Sequence, residues 1–130
     1  MSLVLDASAV LAWLKSEVGA ERVERAFDTQ EAIISNVNLA EVLSRVAHTG
    51  QDVNEVKELL KEVGLEFAPF TLPQAITCGE LRPLTVHYGL SLGDRACLAL
   101  GIEMQTKVLT ADRQWGNINV QGVQIEFLRS

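Results

Sequence analysis

Ser2-Leu3-Val4-Leu5-Asp6-Ala7-Ser8 is the stretch that decides the fold. Three consecutive apolar β-formers run directly into an acid, with no alternation toward solvent among them. An unbroken apolar run of that length reads as a strand buried on both faces, the pattern of a parallel sheet. Ala7 to Leu14 then reads as a helix leaving the strand, which puts Asp6 at the strand's carboxyl end. Open α/β sheets bind their ligands at that edge, so Asp6 is a site candidate. The alternative is that Asp6 only caps the helix, a role Asp fills well.

Beyond this stretch the chain alternates. The first helix is expected to end between Ser16 and Gly19. A second runs from Ala20 to Phe27 and carries the i,i+4 pair Glu21/Arg25. Glu31 to Ser35 reads as a strand, followed by a helix through Leu39 to Val46 with Asn36 or Asn38 as cap and Gly50 as its stop. Asp52 caps a helix from Val53 to Val63, closed by Gly64, and Leu65 to Phe70 is a third strand. Thr71 and Pro73 open a further helix, which Pro83 breaks or restarts. A helix from Ser91 to about Gln105 precedes two last strands, Lys107 to Thr110 and Val123 to Leu128. Strands separated by helices give an α/β fold, a parallel twisted sheet of about five strands flanked by helices.

Composition narrows the class. At 130 residues the chain is expected to be one domain, 1–130, burying roughly two-thirds of its unfolded surface. Hydrophobic content is 48%, yet no apolar run approaches the ~18 residues of a membrane span. The amino terminus shows no basic region ahead of an apolar one, so no export signal is read there. Cys78 and Cys97 stand apart, without C-x-x-C spacing, and read as free thiols in a reducing cytoplasm. A formal net charge of −6 argues, at face value, against a nucleic-acid partner.

Three more carboxylates compete for attention. Glu41 shares a polar helical stripe with Asn38, Arg45 and His48, opposite the apolar stripe of Leu39, Val42 and Val46. Its plain reading is a solvent-facing Glu41/Arg45 ion pair. Asp94 follows Ser91 by three residues, a capping-box spacing, in an otherwise very apolar run. Gly93 beside it is costly in a first helical turn unless something approaches the backbone there. Asp112 lies two residues beyond the strand ending at Thr110, where it is either a turn former or a second strand-end acid. Two of these acids leave one edge of the sheet, and two sit near helix starts that should open toward it. Four convergent carboxylates without a basic cluster repel one another, and bound divalent cations resolve that conflict. Oxygen-only donors select hard ions such as Mg²⁺ or Mn²⁺.

Val4-Leu5-Asp6-Ala7-Ser8-Ala9, Asn38-Leu39-Ala40-Glu41-Val42, Leu90 to Ala96 and Leu109 to Trp115 together resemble the PIN-domain nucleases, and more narrowly the VapC-type toxins of bacterial toxin–antitoxin pairs. The resemblance runs the length of the chain, in order and at family spacing. It implies a single PIN-like domain with an acidic quartet of Asp6, Glu41, Asp94 and Asp112 as catalytic and metal-binding residues, supported by Ser8 and Thr110. It implies a Mg²⁺- or Mn²⁺-dependent endoribonuclease that cuts RNA through metal-activated water. The partner implied is a cognate VapB-type antitoxin whose C-terminal segment occludes the site, and the assembly expected is a homodimer.

The charge objection then weakens, because setting aside the four acids leaves −2. Lys15, Arg45, Arg95 and Arg113 are the candidate RNA contacts. Trp13 and Trp115 could stack on bases, but core or dimer packing is the reading favoured here. Two other classes compete. One is a catalytically idle PIN-like binding module. The other is a receiver-type signalling domain, which would want paired acids after the first strand and an Asp ending the third, and finds neither.

Overall fold

The computed structural model describes residues 2–129, and its elements follow the alternation read from the sequence. β1 (Leu3–Leu5) leads into α1 (Ala7–Leu14) and α2 (Ala20–Asp28), then β2 (Ala32–Ser35), α3 (Asn36–His48) and α4 (Val53–Glu62). After β3 (Glu66–Ala68) come α5 (Leu72–Thr85), α6 (Leu92–Met104), β4 (Val108–Thr110) and β5 (Ile125–Phe127). Short 3₁₀ turns occupy Val86–Tyr88 and Arg113–Asn117. Among the described residues no helix is long and apolar enough to cross a membrane.

Every strand pair is parallel, in the order β3-β2-β1-β4-β5. From the central β1 the chain steps outward to β2 and β3, then crosses to β4 and β5 on the other side. The line between β1 and β4 is therefore the switch point, where open α/β sheets leave a crevice. Leu5 pairs there with Leu109, and Asp6 is the next residue on its strand.

Alternation along the strands divides the core into two layers. Leu3, Leu5, Ala32, Ile34 and Leu109 pack with Val10, Val23, Val42 and Leu60 from α1 to α4. Val4, Ile33 and Val108 turn to the other face, against Leu81, Leu98 and Trp115. β1 is buried along its whole length, as its three unbroken apolar residues require.

Several local boundaries differ from the sequence reading, each for a physical reason. Ser35, not an asparagine, caps α3: its Oγ accepts from Val37 N at 3.2 Å, so strand passes directly into helix and Asn38 falls inside. Pro83 does not break α5. The bond it forfeits would end on the carbonyl of Gly79, and both residues are solvent-exposed, so water can take that carbonyl. The Glu21/Arg25 pair does not form. Arg22 instead binds Glu126, Nε to Oε2 at 2.6 Å, and ties α2 to β5.

Gly19 marks a tight closure. It precedes α2 with φ +96°, and a Cβ there would stand 2.9 Å from both Cβ and O of Leu128. Gly19→Ala should cost about 1–3 kcal/mol through left-handed strain and this contact, measured as a lower urea midpoint with unchanged slope.

Candidate functional site

Asp6 is both the cap and the strand-end acid. It is only 4% exposed, its backbone N–H donates to Leu109 O at 3.1 Å, and its Oδ1 accepts from Ala9 N at 2.9 Å. The capping reading and the site reading therefore describe one placement. Two hydroxyls hold the rest of the carboxylate: Ser8 Oγ donates to Oδ1 at 2.7 Å and Thr110 Oγ1 to Oδ2 at 2.6 Å. The same hydroxyls accept backbone N–H groups from the turn after β4, Ser8 from Ala111 at 2.9 Å and Thr110 from Asp112 at 3.0 Å. Ser8 and Thr110 thus clamp the β4 turn to Asp6.

Glu41 makes no ion pair with Arg45; among the described residues none of the four acids is salt-bridged. Its carboxylate instead lies over the first turn of α6, where Oε1 accepts from Asn38 Nδ2 at 2.8 Å. A Cβ on Gly93 would come within 2.5–2.6 Å of all three carboxylate atoms. Glu41 is thus the group that approaches the backbone at this glycine.

Asp94 closes a full capping box, its Oδ2 accepting from Ser91 N at 2.9 Å and its N–H donating to Ser91 Oγ at 3.1 Å. Asp112 caps the 3₁₀ turn, Oδ1 accepting from Gln114 N at 2.9 Å.

The four acids share one electrostatic neighbourhood. Burial raises the carboxyl of Asp6 to about 6 against the pull of its three donors, and Asp94 adds to the rise. Asp94 is itself raised, first by burial and further by Asp112, against its bonds to Ser91. Beneath them the thiol of Cys97, fully buried, is pushed well up by burial and by the fields of Asp6, Asp94 and Glu41. An all-carboxylate donor set in mutual repulsion suits a hard divalent cation. As the side chains stand, no three His, Cys, Asp or Glu among the described residues are arranged to ligate one ion.

The basic candidates are spread over the molecule. Arg95 lies in the α5/α6 seam, donating to Cys78 O at 3.0 Å. Arg113 is exposed beside Asp112, donates to Arg129 O at 3.0 Å and stands 5.5 Å from the Phe127 ring centre. Lys15 and Arg45 share a cleft of about 340 Å³ with Leu11, Leu14, Val46 and Val56, at the end of α1 remote from Asp6. Trp115 is in the core, and Trp13 meets Phe27 edge-on at 4.9 Å. From the sequence Asn38 reads as a cap or a member of Glu41's polar stripe and Cys97 as a free thiol; in the structure Asn38 bonds Glu41 and Cys97 lies in the field of three of the acids.

Two outcomes follow for the metal-free and metal-loaded protein. The folded-state value of Asp6 lies above its ordinary 3.8, so the stabilisation its protonated form gives is complete below that value and lost as pH rises through about 6. Relative to the native chain, Asp6→Asn should gain roughly 1–3 kcal/mol of apo stability between pH 4 and 7, read by urea denaturation across pH. An equal difference at both pH values would show that Asp6 is not held protonated. Gly93→Ala should keep the fold, helped by a helix-propensity gain of about 1 kcal/mol, because Glu41's flexible end can move aside. Stabilisation by Mn²⁺ should weaken at least tenfold in concentration, read by thermal shift.

Comparison with known proteins agrees with this architecture. The sequence matches the PIN domain family over residues 3–120. No curated protein matches it significantly. Among solved structures, a toxin–antitoxin complex from Klebsiella pneumoniae is 20% identical with a TM-score of 0.73, covering 94% of this chain and 95% of that one. VapBC2 from Rickettsia felis, bound to a promoter DNA fragment, is 20% identical with a TM-score of 0.74 and 98% of both chains covered. DNA-bound VapBC from Salmonella typhimurium is 17% identical with the same TM-score and coverage. At such identities the likeness establishes the fold, and the family match establishes kinship: this chain belongs to the PIN-domain family.

Proposed function

We propose that the chain is a Mg²⁺- or Mn²⁺-dependent endoribonuclease, the toxin of a VapBC-type toxin–antitoxin pair, acting in the cytoplasm. What supports this reading is that Asp6 stands at the β1/β4 switch point, that Asp6, Glu41, Asp94 and Asp112 are linked by mutual repulsion or a shared neighbour, and that none of them is salt-bridged among the described residues. Membership of the PIN family supports the nuclease, and the fold shared with VapBC complexes supports the toxin.

The four acids would hold the ions. Bound divalent ions supply water made nucleophilic at neutral pH and positive charge for the phosphate being cut. The remaining work belongs to the chain. Ser8 and Thr110 fix both oxygens of Asp6 and the turn that carries Asp112. Ser91 fixes Asp94 at the mouth of α6. Exposure next to Asp112 supports Arg113 as the side chain that meets RNA phosphate, although it also donates to Arg129 O, while Arg95 is occupied by α5.

Two surface features support the partners proposed. The cleft holding Lys15 and Arg45 has an apolar floor and two cations, complementary to an antitoxin segment bearing apolar and acidic residues, and Arg45 lies one helical turn from Glu41. Leu72, Ile76 and Leu92, between 57% and 75% exposed, offer an apolar surface for a second copy of the chain.

The competing reading is an idle PIN module, and the observation on its side is that no three acids among the described residues are arranged to ligate one ion as they stand. The chemistry of the cut ends decides between them. RNA incubated with purified protein and Mg²⁺ or Mn²⁺ should yield 5′-phosphate and 3′-hydroxyl ends, with cleavage lost on EDTA treatment and restored by either ion. A single 2′-deoxy sugar at the scissile position should still permit cutting. Cyclic 2′,3′-phosphate ends, or cutting that survives chelation, would overturn the mechanism and turn attention to the exposed His48 and His87. No cleavage at all, with no stabilisation by Mn²⁺, would establish the idle module.

A further inference from the structure

Asn38 is 1% exposed, in a helix whose other buried residues are apolar. Both hydrogens of its amide are committed. One is donated to Glu41 Oε1 at 2.8 Å and the other to Gly93 O at 2.9 Å. Its Oδ1 is buried with no hydrogen-bond partner. An orphaned buried oxygen is destabilising, and an apolar residue of the same shape would avoid that cost. Packing alone therefore does not account for an asparagine here.

The two acceptors give it a role. Gly93 O belongs to the peptide that connects directly to Asp94, while Glu41 Oε1 belongs to the acid facing it from α3. One planar amide thus ties the Glu41 carboxylate to the backbone from which Asp94 springs, across two helices. Gly93 leaves room for this tie, because any side chain there would push the Glu41 carboxylate away. Without Asn38, nothing else among the described hydrogen bonds holds Glu41; repulsion from its acidic neighbours would favour a rotamer turned outward.

We propose that Asn38 is a positioning residue that holds the Glu41 carboxylate against the first turn of α6, on the side of the peptide leading to Asp94, and so keeps it available to a divalent cation. This rests on the metal-dependent reading above. The test compares Mn²⁺ binding by calorimetry in the native chain, Asn38→Leu, Glu41→Gln and the double variant, alongside urea stability without metal. Asn38→Leu keeps the branching of the side chain and removes the orphaned oxygen, so the chain should still fold, with the gain from losing that oxygen offsetting the crowding of its bulkier methyl groups. Its Mn²⁺ affinity should fall 10- to 100-fold, the loss typical when the partner of a metal ligand is removed. In the Glu41→Gln background the same change should lower Mn²⁺ affinity no further, since Asn38 acts through that carboxylate.

Undiminished Mn²⁺ affinity in Asn38→Leu would overturn the proposal while leaving the metal reading intact. So would losses that multiply in the double variant. A native chain that binds no Mn²⁺ would remove the metal reading and the positioning role together. Should Asn38→Leu fail to fold, Asn38→Ser carries the same comparison, and unfolding of both would assign Asn38 to the core and overturn the proposal.

Discussion

A carboxylate buried at the end of the central strand is the constraint to which the rest of the molecule answers. Asp6 sits where β1 runs out and the chain has stepped to opposite sides of the sheet, so no strand covers it. A charge in that position is expensive unless several donors converge on it. The fold supplies three, one from the helix that follows and two from hydroxyls whose own acceptor capacity is spent on the neighbouring turn. The β4 turn is thereby coupled to the amino end of α1. Even so, burial outweighs the donors, and the carboxyl is harder to ionise than an ordinary aspartate. The site thus stores repulsion that a cation would relieve.

The division of labour among the acids follows from their supports. Asp6 is fixed by side-chain hydroxyls, Asp94 and Asp112 by the backbone N–H groups of the turns they cap, and Glu41 by an amide from its own helix. Glu41 has the longest side chain of the four and the least backbone support. It is also the one whose place is set by an absence, the missing Cβ of Gly93.

The fold was legible because its signals were strong and local. Three apolar residues in β1 cannot alternate, so the strand had to be buried on both faces, and helix-length segments between strands then forced a parallel sheet. Glycines at Gly50 and Gly64, both with positive φ, ended their helices where the pattern placed them. Legibility failed where a residue's partner is remote in sequence. Pro83 looked like a break because only its own chemistry was visible, not the exposure of the carbonyl it leaves unbonded. Glu41 looked like half of a surface ion pair because Arg45 is one turn away, whereas its actual neighbour, Gly93, lies 52 positions along the chain. Asn38 was visible as a polar residue on Glu41's stripe, but its burial depends on α6 packing over it, which no local pattern reports.

The caps set a limit on denticity. Asp94 commits Oδ2 to Ser91, Asp112 commits Oδ1 to Gln114, and Glu41 commits Oε1 to Asn38, leaving one oxygen of each without a hydrogen bond among the described residues. A cation entering without dismantling these bonds would find one oxygen free of hydrogen bonds on each of these three acids. Large ions such as Ca²⁺ draw much of their binding from carboxylates that grip with both oxygens, whereas the small octahedral ions accept one oxygen from each ligand and keep water in the remaining positions. Were these acids to hold a cation, the hydrogen bonds that cap their turns would thus favour a small octahedral ion over a larger one.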